Sequence, residues 1–536
     1  MRRYLVIAIA LFLTFSISFS VGLYSGLRKN FIFEGIVKTV RLLTPDDPVE
    51  TAPTLNLDMS DRTLLDSTIL PLHQREVLVT DANGKPMPLL AIASDGGSEA
   101  VILTENGTLF RIDTDSCDSP DCLHQVGRLV RPDGTALDDS YDLLSVDIDG
   151  TRQWFVSYGQ EDRTGYNKAL VISRFTPPKE PGPDPLLRID EPFFRSTSFT
   201  LRNGHSMRSG GGAMAYDPAT GDLIVTIGDY SLNGISNVFE GPIPPAQDPD
   251  SDLGKILRVD MQTGDSRIIS TGHRNPQGLS ISPDGEIIAT EHGPKGGDEL
   301  NLIEDGRNYG WPYVSMGTKY GAYTFPQQPI DPGAVHGGYT PPLIAFMPNP
   351  GISALIHIHD FHPAWDGDLM VSSLRARTLL RVRKWDGGNY VEPIYIGDRI
   401  RDLDIIGKEM VLLTDSGKII LLNPIDDLEM ARSDTGLVTN MTALSECGSC
   451  HNVNSPTSTA DAPYLHGIVG RPIASASDYA RYSSALMEKQ GSTWDLDSLE
   501  KFLRSPQDFA PGTAMPDQDL ADEQIAELMG LLPLLR

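Results

Sequence analysis

From about residue 75 to residue 425 the sequence has almost no helical periodicity. Short apolar runs broken by turns fill this stretch. A chain patterned in this way builds sheet and little else. A four-residue segment, often with arginine in third position, recurs along it. The copies are Leu109-Phe110-Arg111-Ile112, Ile172-Ser173-Arg174-Phe175, Ile256-Leu257-Arg258-Val259, Leu300-Asn301-Leu302-Ile303, Leu379-Leu380-Arg381-Val382 and Ile420-Leu421-Leu422-Asn423. Several follow a turn and another apolar strand, as at Gly221-Asp222, Asp284-Gly285 and Gly367-Asp368. Six copies at unequal intervals predict a six-bladed β-propeller, all-β, with its loops gathered at the two ends of a central channel. A β-sandwich with chance similarities is the competing reading.

The flanks differ. Arg2 and Arg3 precede an uncharged, mostly apolar run, Tyr4–Tyr24, and Arg28 and Lys29 follow it. The run is long enough to span a bilayer as an N-terminal hydrophobic helix. A cleaved signal peptide is the alternative, with Ser18-Phe19-Ser20 as a poor cleavage site, and the anchor is preferred because no A-x-A sequence follows. Either way the remaining chain is exported. The expected organisation is a signal anchor or signal peptide over 1–30, a Pro-containing linker over 31–74, the propeller over 75–425, a connector over 426–439 and a separate domain over 440–536. Cys117 and Cys122 enclose Asp-Ser-Pro-Asp, and outside the cytosol such a pair is expected to close a small disulfide loop. The formal net charge of −28 argues against non-specific nucleic-acid binding, which needs basic patches.

After Pro424 helical patterns appear, over Asp478–Lys489, Leu496–Leu503 and Asp522–Leu532. Cys447-Gly448-Ser449-Cys450-His451 has the C-x-x-C-H spacing. Two thiols can form thioethers to haem vinyl groups while the adjacent histidine meets the iron. A zinc ribbon would need a second cysteine pair, and a thioredoxin fold a βαβ context. Met515, on the loop Pro511-Gly512-Thr513-Ala514-Met515-Pro516, is the candidate second axial ligand, which gives an electron-transfer haem of raised potential. This tail resembles class I cytochromes c, a small all-α domain, through Cys447–His451, Pro463–Arg471, Tyr482, Trp494 and Pro511–Pro516. The resemblance implies covalent haem c, His451 oriented by the Pro463 carbonyl, and Arg471, Tyr482 and Trp494 around the haem propionates.

One stretch of the propeller carries more polar chemistry than its strands need. Within Gly272–Pro312, Arg274, Asn275 and Gln277 present a fixed cation and two amides, which suit a polycarboxylate or quinone ligand. His292-Gly293-Pro294 bends so that backbone carbonyls can be exposed, and Asp298 and Glu299 follow; such oxygens suit Ca²⁺. Arg375 and the Arg399-Ile400-Arg401-Asp402 segment lie at strand ends, and Arg399 and Arg401 would point to the same side. Taken singly, each arginine is as readily a surface ion pair. Together these segments resemble the soluble PQQ-dependent glucose and aldose-sugar dehydrogenases (the glucose/sorbosone dehydrogenase family) over roughly 75–425. The resemblance implies that Arg274, Asn275, Gln277, Arg375, Arg399 and Arg401 surround PQQ and that the Gly293 and Pro294 carbonyls bind Ca²⁺. His205 would be the catalytic base, oriented by Asp229, although four residues separate it from the glycine run beginning at Gly210. An ordinary loop histidine is the alternative.

The implied chemistry is hydride transfer from a sugar hydroxyl carbon to the quinone, with Ca²⁺ and Arg274 stabilising the developing charge. A tethered haem would then pass electrons to an acceptor such as a cytochrome or terminal oxidase. The expected place is the periplasmic side of the bacterial inner membrane. The rival is a propeller that only docks a partner or ligand beside an electron-carrying haem domain.

Overall fold

The computed structural model describes residues 56–425 and 447–535, apart from 180–185, 201–208 and shorter interruptions. The described residues separate into two compact units, one containing Leu72–Pro424 and the other Ile425–Arg536. The first is a six-bladed β-propeller whose blades are antiparallel at their core, in sheets of four to six strands, with short extra strands at the outer edge of four of them. The first strands of the blades, from inside outward in chain order, are Leu89–Gly96, Ser140–Ile148, Gly211–Asp217, Pro276–Ile281, Ile352–His357 and Ile400–Ile406. These six strands touch their neighbours in a closed ring around the channel.

The ring closes by borrowing. The fourth strand of the sixth blade is Leu72–Thr80, which pairs with Lys418–Pro424 from the far end of the unit. This corrects the expected linker. Asn56–Met59 and Thr63–Leu65 also pair with Leu72–Thr80. Leu57 and Met59 pack on the apolar cluster between the sixth and first blades, so burial rather than the prolines decides the conformation here.

Each recurring segment is the third strand of its blade. Its arginine has a structural task. Arg111 reaches Asp95 and Glu99, Arg258 reaches Asp217 at 2.6 Å, and Arg381 reaches Asp368 and Glu392. In each case at least one acid belongs to the hairpin joining the blade's first two strands, so the third strand pins that hairpin. Arg174 departs from this pattern and donates to the Met261 carbonyl of the next blade. Successive side chains of a strand face opposite sides of the sheet. Ile92 therefore joins the cluster shared with the sixth blade, and Ala91 and Ala93 join the one shared with the second. Equivalent clusters lie between later blades. Cys117 and Cys122 form the expected disulfide.

The second unit contains short helices around a core that includes Trp494, Leu499, Leu503 and Leu528. Leu496–Arg504 starts at a reciprocal capping pair between Asp495 and Ser498, which satisfies donors the first helical turn leaves open. Asp522–Leu531 forms as the pattern predicts. The predicted helix over Asp478–Lys489 shrinks to Ser484–Met487. Ser483 caps it with its side chain, and the preceding residues are drawn instead into turns, where Asp478 accepts from Ser458. Among the described residues no helix is long and apolar enough to cross a membrane. The predicted N-terminal helix lies outside the described residues.

Candidate active site

Strand direction alone gathers most of the predicted residues at one mouth of the propeller. Each first strand begins at that mouth, and each connection from a second to a third strand returns to it. Arg274 and Asn275 immediately precede the fourth blade's first strand, which begins at Pro276 and carries Gln277. Arg399 and Arg401 sit at the start of the sixth blade's first strand. Asp229, the His292–Pro294 bend and Arg375 lie on second-to-third connections of the third, fourth and fifth blades. His205 lies outside the described residues.

Asp229 is fully buried. It accepts hydrogen bonds from Trp311 Nε1 at 2.8 Å, Asn233 Nδ2 at 2.7 Å and the Ser231 amide at 2.6 Å. Burial pushes its carboxyl above the usual carboxylate range, against the pull of Arg274 and these donors. The turn that carries it is strained: Tyr230 and Ser231 both have positive φ, 49° and 65°, a region costly for side chains other than glycine. Gly228 lets the chain before Gly211 lie flat against this turn, since a Cβ there would meet the Ser209 carbonyl oxygen at 2.0 Å. Trp311 reaches the mouth by an unusual route. The fourth blade's third strand leads away from it, but Arg307–Asn308 pairs parallel to the third blade's outer strand and brings the chain back, with the Trp311 amide on the Gly272 carbonyl at 3.0 Å.

Arg274 is held from beneath. Its backbone amide donates to Glu291, and its Nη1 donates to the His292 carbonyl at 3.0 Å. The guanidinium lies 5.7 Å from the Trp311 ring centre. Its other donors have no partner among the described residues. Glu291 also binds His273 Nδ1 at 2.8 Å, and His273 Nε2 meets Ser270 Oγ at 2.8 Å. His273 is fully buried, so this row of polar groups fixes the loop and does not face a ligand. Glu299 lies in the same cleft wall as Glu291. Burial, then the charge of Glu291, pushes it up to about 8. Asn301 donates to both carboxylates.

Asp298 and Glu299 depart from the expectation that they help hold a cation. Asp298 accepts from the amides of Gly293 at 3.0 Å, Gly351 at 2.7 Å and Ile352 at 3.2 Å. Its task is to hold the bend. Glu299 instead shares the Asn301 amide with Glu291. The Gly293 and Pro294 carbonyls, by contrast, accept no hydrogen bond among the described residues, which fits oxygens kept for a hard cation. A Cβ at Gly293 would lie 2.3 Å from the Gly296 and Gly297 carbonyl oxygens, so only glycine permits this bend.

The remaining arginines continue the rim. Arg399 and Arg401 both bind Asp415, at 2.7 Å each, and so share a side as their spacing requires. Burial raises the Asp415 pKa, but the two arginines outweigh it and hold it below the usual range. Arg399 Nη1 also reaches the Leu374 carbonyl at 3.4 Å. The next residue, Arg375, binds Asn349 Oδ1 at 2.7 Å, and Asn349 reaches Asp298 at 3.5 Å. Asn275 is buried, accepting from the Gly211 amide and from Gln277 at 3.3 Å each. A linked path of polar contacts thus runs from Arg399 through Arg375, Asn349, Asp298 and the His292–Gly293 bend to Arg274 and Asp229. Sequence reasoning missed Trp311, Glu291, Asn349 and Asp415. Two of these stood in plain view: Trp311 inside the Gly272–Pro312 stretch, and Glu291 beside His292.

In the second unit, the amides of Cys450 and His451 both donate to the Cys447 carbonyl, at 3.2 and 2.8 Å. This tight turn leaves both thiols out of any disulfide. His451 Nδ1 donates to the Pro463 carbonyl at 2.5 Å, which leaves Nε2 for a metal. Burial lowers the His451 pKa and so favours the neutral, ligating imidazole. Cys447, Tyr482 and Met515 pack on the same apolar core, which fits a haem held between His451 and Met515. Arg471 donates to the Tyr464 and His466 carbonyls at 2.7 and 3.2 Å. The Tyr482 hydroxyl accepts from the Ala476 amide at 3.2 Å, and the Trp494 ring stacks on Phe509.

Comparison with known proteins agrees with both halves. The profile of the glucose/sorbosone dehydrogenase family matches residues 90–421. The chain is 29% identical over 237 residues to the aldose sugar dehydrogenase YliI of Escherichia coli, covering 40% of this chain and 60% of that protein. A cytochrome c homolog of Rickettsia conorii is 42% identical over 83 residues, 14% of this chain and 46% of the homolog. In these relatives the aligned stretch is less than two thirds of their length. A crystal structure of a glucose dehydrogenase shares the fold at a TM-score of 0.50 and 23% identity, covering 64% of this chain and 97% of its own.

Proposed function

The chain belongs to the glucose/sorbosone dehydrogenase family, and on that premise we propose that it is a quinohaemoprotein that oxidises an aldose sugar or a related hydroxyl or aldehyde compound. The observation that carries this reading is the linked rim of the mouth. It joins three cationic residues with open donors to two unclaimed backbone carbonyls, beside one buried acid. PQQ, when bound there, supplies a quinone that accepts two electrons as hydride. Arg274, Arg375, Arg399, Arg401, Asn275 and Gln277 would hold it, and the Gly293 and Pro294 carbonyls would hold Ca²⁺.

Arg274 stabilises negative charge that develops at the mouth, because its donors are oriented in advance by Glu291 and the His292 carbonyl. His205 takes the proton of the sugar hydroxyl. Asp229, held in place by Trp311 and Asn233, orients that base. A haem c bound at Cys447, Cys450, His451 and Met515 supplies a one-electron carrier on the same chain, leading to a cytochrome or oxidase acceptor. This reading includes anchoring by residues 4–24 at the periplasmic face of the inner membrane, which fractionation of cells tests.

The decisive experiment adds PQQ, Ca²⁺ and a panel of aldoses to the purified haem-loaded protein and follows the haem spectrum. Haem reduction that needs all three additions is expected. A panel that never reduces the haem, together with no PQQ binding by titration, would favour the docking-module alternative.

A further inference from the structure

The backbone of the Met515 loop is held by hydrogen bonds from residues just before it. The short helix Pro506–Phe509 leads into it, and the Thr513 amide donates back to the Ala510 carbonyl at 3.1 Å. Among the described residues, the other hydrogen bonds to Gly512, Thr513 and Met515 come from one side chain. Gln507 Oε1 accepts from the Gly512 amide at 3.1 Å, and Gln507 Nε2 donates to the Thr513 carbonyl at 2.9 Å and the Met515 carbonyl at 3.4 Å. A primary amide suits this task because it offers an acceptor and two donors together. Gln507 itself stands on a fixed base. Phe509, two residues on, stacks on buried Trp494, and Ala510 is fully buried.

We propose that Gln507 is a positioning residue for the axial thioether, a clamp that holds the Met515 loop closed over the haem. The proposal rests on the reading of Met515 as a haem ligand. A thioether is a weak ligand to ferric iron, so its retention depends on how little freedom its loop has when detached. Three bonds from one amide remove most of that freedom. Gln507 lies outside the apolar core, so replacing it leaves the fold and the covalent haem attachment intact.

The test uses the full-length haem-loaded protein and three variants. Q507A removes all three bonds. Q507E keeps an acceptor for the Gly512 amide but loses both donors. D508A is the control on the same helix, because among the described residues the Asp508 side chain binds only Ser505. Two readings are taken: the long-wavelength thioether-to-iron charge-transfer band of the ferric protein, and the Kd for added imidazole, which competes with Met515. With three bonds lost, Q507A should bind imidazole about tenfold or more tighter, with a weakened band and a lower haem potential. Q507E should fall between Q507A and wild type, and D508A should match wild type. Q507A with wild-type band, potential and imidazole affinity overturns the clamp. A wild-type protein without the band overturns Met515 as ligand, and the clamp falls with it.

Discussion

Arg381 and Arg274 are both arginines of the propeller, and they are held in opposite ways. Arg381 is fully buried, and its nearest partners, Asp368 and Glu392, are carboxylates of its own blade. Arg274 is half-buried at the mouth, donates to one backbone carbonyl, and keeps its other donors open. Carboxylates that pair with a buried arginine make it part of the frame. An arginine oriented by backbone and left unsaturated stays able to meet a ligand. Arg399 and Arg401 lie between these cases, since they share the single carboxylate of Asp415.

Removing a framework arginine should have the largest effect on the fold. Arg381→Met strips Asp368 and Glu392 of their closest cation inside the fifth blade. Breaking a buried pair in this way costs about 3–5 kcal/mol, which urea unfolding of the variant would register. A loss below about 1 kcal/mol would erase the distinction between the two classes.

Arg274→Met should do the reverse. Unfolding should change less than in Arg381→Met, because the Arg274 side chain hydrogen-bonds no carboxylate, and Asp229, which loses the pull of its charge, keeps its three donors. The kcat/KM for aldose-driven haem reduction should drop about 100- to 1000-fold, the usual cost of losing a preorganised donor to developing charge. Arg274→Lys should recover little of this, since an ammonium cannot reproduce the planar fork.

The same contrast explains how much of the molecule could be read in advance. The blades were legible because each third strand repeats an apolar pattern, in four of the six with an arginine at its third position, and the six copies survive unequal loops. The mouth was legible where its residues are near in sequence, as with Arg274, Asn275 and the Gly293-Pro294 bend. It was not legible where topology supplies the partner. Nothing about Arg307 or Asn308 announces the short parallel strand that carries Trp311 to Asp229. Asn349 meets Arg375 only because two blades adjoin. Asp298 looked like a cation ligand because its charge is visible in sequence, whereas the three amides that occupy it are not. The strands before Leu72 were hidden by prolines, whose turn signal outweighed the modest apolar alternation of Leu57 and Met59.

Carboxylates that lack an arginine extend the comparison. Asp142, on the second blade's first strand, is held by the amides of Leu143 and Met214, at 2.8 Å each. Burial, with Asp404 nearby, pushes its carboxyl up to about 7. Asp404 rises to about 6, mainly through burial, and Asp402 lies well above its ordinary value because of burial and then Asp142. A raised folded-state pKa means that the native state binds the proton more tightly than the unfolded chain. This stability is fully present below about pH 4 and is lost as pH rises through about 7. The propeller should therefore unfold more readily at pH 8 than at pH 5. Asp142→Asn should shrink that difference by about 1–2 kcal/mol, read from urea midpoints at the two pH values. An unchanged difference would mean that the three acids do not carry the pH dependence.

The smallest expected effect belongs to Arg375, and it locates the ligand along the rim. Its side chain is exposed and makes one bond, to Asn349. A single exposed contact is worth about 0.2–1 kcal/mol, so Arg375→Gln should weaken PQQ binding by about two- to fivefold, measured by titration. Arg399→Gln should weaken it further, because Arg399 is partly buried and held in place by both Asp415 and the Leu374 carbonyl. The order of the two losses matters more than their size. If Arg375→Gln costs more than Arg399→Gln, the ligand's carboxylates lie over the fifth blade, and Asp415 has already saturated the arginines of the sixth. Arg399 would then belong with Arg381 in the frame, and the divide between framework and ligand-binding arginines would run between the fifth and sixth blades.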